Sequence, residues 1–128
     1  YIDYKHIIPD TFFTEFKANK LILENAVARA AIVAKGMVNN LIVLDVKENY
    51  VNITSNSEIG NVNENVLINL EGKDIVIAFN SKYILDCLHA IDDEFIKFSL
   101  NSPIAPCIIR PNSDDNSLYL ILPIRMNN

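Results

Sequence analysis

The chain of 128 residues has no tryptophan, three glycines and two cysteines. Each scarcity closes off a class of function. Gly36, Gly60 and Gly72 are scattered and cannot build a glycine-rich phosphate loop. Cys87 and Cys107 are far apart and match no metal or redox spacing, so they read as reduced core thiols, one on a helix and one in a strand. Neither Gly-x-Ser-x-Gly nor His-Glu-x-x-His occurs. Histidine is as scarce: His6 lies near the start, and His89 shares a helical face with Lys82 and Asp86, which reads as solvated surface. A small hydrolase would have to rest on His89 alone, so the chain reads as non-catalytic.

Basic residues are outnumbered, 11 against 16 acidic, for a net charge of −5. A generic nucleic-acid binder would carry a basic excess, although a protein that touches DNA with one face need not. No apolar run approaches the roughly 20 residues of a spanning helix, and no leader segment is visible. The expectation is a cytoplasmic protein without a membrane partner. The first residue is Tyr1 and not Met, which suggests a start at an internal boundary of a larger protein.

What is present is a globular composition, 50% hydrophobic and 21% charged, long enough to bury a core as one domain over 1–128. Residues 1–12 read as a linker and first segment, with Pro9-Asp10-Thr11 as a turn. Residues 14–18 alternate as a strand, Asn19 is an N-cap, and Ile22, Leu23, Ala26, Val27, Ala30 and Val33 recur at helical spacing up to a stop at Gly36. Strands are predicted over 41–46, 50–54 and 66–70, with 55–63 a polar loop or frayed start. The pattern then restarts: a strand over 75–79, Asn80 as N-cap, a helical stripe of Ile84, Leu85, Leu88 and Ile91, and strands over 95–100, 104–109 and 118–122, with 112–116 a loop. The order β-α-β-β-β therefore occurs twice. It predicts an α+β fold with a pseudo-twofold axis, two helices side by side on two antiparallel sheets. Neither unit can bury its helix alone, but two can share a core.

The end of the chain is unusual. Residues 120–126 are strongly apolar, where chain ends are normally polar and frayed. Pro123 cannot continue a central strand, so Ile124 and Met126 are expected near the surface. An exposed apolar patch of this kind marks a partner site.

Asp3-Tyr4 before Ile7-Ile8-Pro9, Ala28-Arg29-Ala30-Ala31, Ala78-Phe79-Asn80 followed by Tyr83-Ile84-Leu85-Asp86, and Leu122-Pro123-Ile124-Arg125 together resemble the bacterial DNA sliding clamp family, the beta subunit of DNA polymerase III. The resemblance is to the third, C-terminal domain and covers essentially the whole chain. It implies a DNA-clamp fold in a head-to-tail homodimer ring of three-domain chains. Such a ring encircles double-stranded DNA and tethers the polymerase for processivity, with no chemistry, cofactor or metal. It also implies an apolar pocket for short peptides of the DNA polymerase III alpha subunit, the clamp loader and other clamp-binding proteins. The third domain's share would be His6, Ile7, Asn80, Tyr83, Pro106, Leu120, Leu122, Pro123, Ile124, Arg125 and Met126. The family often has Arg where His6 stands, and Asn127-Asn128 extend the tail. The resemblance further places Ile32, Val33 and Glu64 at the dimer interface, with an edge strand around 63–68 that is often acidic in relatives and here keeps mainly Glu58 and Glu64. Lys20, Arg29 and Lys82 are the candidates to face DNA. A β-rich adaptor that forms no ring is the alternative reading.

Overall fold

A computed structural model of the chain describes residues 13–35, 40–57, 60–112 and 118–125. Among them, β1 (Thr14–Asn19) runs into α1 (Lys20–Ala34), followed by β2 (Leu41–Val46), β3 (Tyr50–Ser57) and β4 (Gly60–Gly72). The second unit is β5 (Ile75–Asn80), α2 (Ser81–Ala90), β6 (Phe95–Leu100), β7 (Cys107–Pro111) and β8 (Tyr119–Ile121). The twofold repeat of β-α-β-β-β is therefore present.

The same local chemistry starts both helices. Asn19 and Asn80 are extended at the ends of their strands, and each side chain accepts from a first-turn amide: Asn19 from Ile22 N at 3.0 Å, Asn80 from Lys82 N at 2.9 Å. These bonds satisfy donors that have no partner within the helix. α1 buries Leu23, Ala26, Val27, Ala30, Ala31 and Ala34. Two members of the predicted stripe behave otherwise: Ile22 is 56% exposed and Val33 is half-buried. Apolar residues lie on both faces of this helix, Leu21 and Ile32 also being exposed, so spacing alone could not choose the buried one. The predicted stop at Gly36 lies outside the described residues; the helix is capped at Lys35.

All strand pairings are antiparallel, in one eight-stranded sheet of order β5-β2-β3-β4-β1-β6-β7-β8. Exchanging the two units converts β5-β2-β3-β4 into β1-β6-β7-β8, so the two predicted sheets are symmetric halves of this one. β4 joins them. It pairs with β3 up to Leu67, opposite Tyr50, and with β1 from Ile68, opposite Ala18. Its first residues and the end of β3 fall in the stretch 55–63, expected as a polar loop or frayed start; Asn61, Asn63 and, just beyond it, Asn65 look like turn residues. They form the outer face of the strand, where the Asn52 amide donates to the side chains of Asn63 and Asn65.

Two other boundaries shift. β7 starts at Cys107 and not at Ile104, because Ser102 Oγ accepts from Ile104 N and Ala105 N and holds a turn that Pro106 follows. β8 ends at Ile121, and the chain leaves β7 as Pro123 requires. Ile124 then returns: its amide donates to Ala78 O at 2.8 Å, and the two residues form an isolated antiparallel bridge. The last described residues thus join β5, at the opposite end of the sheet. Ile124 is half-buried, contrary to its expected surface position, because of this bridge.

A single core lies between sheet and helices. It includes Phe16 and Phe98, stacked at 4.7 Å on neighbouring strands, and Phe79, Leu23, Ile84 and Leu88. No helix among the described residues is long and apolar enough to cross a membrane.

Candidate partner-docking site

α2 and β8 enclose a cavity of about 540 Å³. Tyr83, Asp86 and Cys87 line it from the helix, and residues 118–122 line it from the strand. The Asn80 cap fixes where α2 begins and so where Tyr83 points. Asp86 and Cys87 follow Tyr83 by three and four residues, which puts all of them on one helical face. Tyr83 is 58% exposed and Leu122 68% exposed, so two large apolar groups stand at the mouth. Cys87 is buried, and burial pushes its thiol up to about 12. The cavity therefore offers an apolar floor, an aromatic rim and one exposed carboxylate. That composition suits apolar anchors with a few polar contacts.

Of the residues expected here, Tyr83, Leu120 and Leu122 line the cavity. Asn80 acts as the helix cap. Pro106 lies between the Ser102 turn and β7 and is not among the lining residues. Pro123, Ile124 and Arg125 continue from the cavity wall toward β5, with Arg125 exposed. His6, Ile7 and Met126 lie outside the described residues. Asp86, Cys87, Leu118, Tyr119 and Ile121 were not foreseen, although helical spacing from Tyr83 pointed to the first two.

The basic candidates differ in their freedom. Lys20 Nζ lies 3.8 Å from Glu24 Oε1, and His89 Nε2 from α2 reaches Glu24 Oε2 at 3.2 Å. Arg29 Nε donates to Glu64 Oε1 at 2.7 Å, tying α1 to β4. Lys82 is exposed and shares a cleft of about 230 Å³ with Lys35, Asp86 and His89. Lys35 was not foreseen. At the expected interface, Ile32 is 63% exposed, Val33 is half-buried and Glu64 is the partner of Arg29.

A curled antiparallel sheet with two helices related by a pseudo-twofold is the architecture of a clamp domain, and known proteins agree. Residues 5–125 match the family model described as DNA polymerase III beta subunit, C-terminal domain. The beta sliding clamp of Staphylococcus epidermidis is 36% identical over 127 residues, 98% of this chain and 34% of the relative. The crystal structure of the Bacillus subtilis DNA polymerase sliding clamp superposes with a TM-score of 0.92 at 34% identity, over 99% of this chain and 34% of that one. The beta subunit from Thermotoga maritima gives 0.92 at 33% identity, over 99% and 35%. The chain belongs to the family of the C-terminal domain of the DNA polymerase III beta subunit, a non-catalytic sliding-clamp family. It spans about a third of the length of the curated relatives it matches.

Proposed function

We propose that this domain forms part of a head-to-tail homodimeric ring in the cytoplasm that encircles duplex DNA, and that it holds the polymerase by docking partner peptides between α2 and β8. The observation that carries the docking assignment is the cavity of about 540 Å³ bounded by Tyr83 and the apolar strand ending at Leu122. The occupants are short segments of the DNA polymerase III alpha subunit, the clamp loader and other clamp-binding proteins that end in apolar or aromatic side chains. His6, Ile7 and Met126 belong to the same reading through their family positions.

DNA contact is weak and nonspecific in this reading. A closed ring retains DNA by topology, and few phosphates need be neutralised. Lys82 and Lys35 carry it best, because Lys20 and Arg29 are engaged by Glu24 and Glu64.

Titrating a fluorescent peptide of the polymerase alpha subunit against the wild type and a Leu122→Ala, Ile124→Ala variant tests the docking site. Affinity should fall at least about tenfold, or about 1.4 kcal/mol, as expected for anchor contacts. Equal affinities would remove the assignment.

A further inference from the structure

The outer face of the second half of the sheet carries a row of positive charge. Along β1, β6 and β7 the residues Phe16, Phe98 and Ile109 face the core, so Lys17, Lys97 and Arg110 project from the opposite face. The strand register sets them side by side: Lys17 stands opposite Lys97, and Lys97 opposite Arg110. Like charges placed directly opposite destabilise a sheet. The row also runs against a chain whose net charge is −5.

Little nearby charge offsets it. Glu15 Oε2 lies 3.9 Å from Arg110 Nη2, at the limit of an ion pair. Lys17 Nζ sits 4.7 Å over the Phe95 ring, which attracts a cation without neutralising it. Among the described residues, neither Lys17 nor Lys97 has a carboxylate partner. All three basic side chains are partly exposed.

The row leads to the docking cavity. β7 pairs with β8 through Ile109 opposite Tyr119, so Leu118 is the next position beside Arg110. Leu118 lines the cavity. Neighbouring strands lie about 4.8 Å apart, which puts Arg110, Lys97 and Lys17 about 5, 10 and 14 Å from Leu118. An extended chain covers about 3.4 Å per residue and reaches Lys17 within about five residues.

We infer that the docking site extends over this face and takes an acidic stretch of the partner segment, just ahead of its apolar anchors, with carboxylates on Arg110, Lys97 and Lys17. This rests on the docking reading above. Two observations select the occupant: the row is continuous with the cavity at Leu118, and its charge is complementary to carboxylates. The anchors end the segment, so the residues before them are the ones that cross the sheet. Carboxylates there relieve the cross-strand repulsion, and Arg110 can hold one through two parallel N–H bonds. The apolar cavity holds the segment, and the row selects among segments with similar anchors.

The test titrates two fluorescent peptides against the full clamp chain that carries this domain. Both hold the anchor segment of the polymerase alpha subunit, preceded in one by four glutamates and in the other by four glutamines. At about 0.1 M salt the glutamate peptide should bind at least about fivefold tighter, the sum of three partly exposed ion pairs. At about 1 M salt, where the screening length falls to about 3 Å, the preference should vanish. Lys17→Gln with Lys97→Gln should reduce it below about twofold at low salt and leave the glutamine peptide's affinity unchanged, which also shows that the variant is folded. Lys47→Gln with Lys73→Gln removes the same charge elsewhere and should keep the preference. Equal binding of the two peptides to the wild type overturns the inference, as does a preference that survives in the Lys17, Lys97 variant. Displacement of the glutamate peptide by a single-stranded oligonucleotide at lower concentration than by unlabelled peptide would assign the row to nucleic acid and overturn it too. If neither peptide binds the wild type, the docking reading itself fails.

Discussion

Gly72 closes β4 with φ +110°, a conformation that L side chains rarely adopt. A Cβ there would stand 2.2 Å from the Phe13 carbonyl oxygen, a backbone atom that cannot move aside cheaply. Gly72→Ala should cost about 2 kcal/mol or more, measured by urea denaturation. The two thiols act through pH. Burial raises Cys87 to about 12 and Cys107 well above the ordinary 9.0. Below about pH 9 both are neutral in both states, and their contribution to stability is fully present. Above it the unfolded chain loses protons that the folded chain keeps, so stability falls as pH rises toward the folded values. The slope is at most about 1.4 kcal/mol per pH unit for each thiol. Urea midpoints at pH 8 and pH 10 should therefore separate more in the wild type than in a Cys87→Ala, Cys107→Ala variant.

At the scale of elements, legibility followed burial. β2 and β6 were read with the bounds they have, because apolar residues alternate or run together there. Both helix starts were read from single asparagines. Asn19→Ala and Asn80→Ala should each lower stability by about 1 kcal/mol, seen as a lower denaturation midpoint. Asn80→Ala should also weaken peptide binding, since it frees the turn that aims Tyr83. The first part of β4 escaped the reading, which began that strand at Val66, because its outer residues are asparagines. Neighbouring strands hold them in place, and no local propensity reports that. On α1, Ile22 was misread for the opposite reason: it carries the chemistry of a core without being in one.

For the whole molecule, the repeat predicted the architecture, and two residues of the apolar tail, Leu120 and Leu122, line the cavity proposed for docking. Neither could predict that the ends of the sheet meet. β4 passes from β3 to β1 without interruption, and by the pseudo-twofold β8 should pass from β7 to β5. It does so across Leu122 and Pro123, where no strand is formed, and among the described residues keeps one bridge, Ile124 to Ala78. The strong junction and the weak junction are thus versions of one design. The cavity lies beside the weak one, and Leu122 is at once its wall and the span of the crossing.

The Ile124–Ala78 bridge makes the described end of the tail a latch. Releasing Ile124 from Ala78 would unfasten the seam of the sheet and loosen Leu122, one wall of the proposed docking cavity, in the same motion. A peptide that braces Leu122 would in turn keep the seam fastened. Occupancy of the site and integrity of the fold would then rise and fall together, through the Ile124 amide.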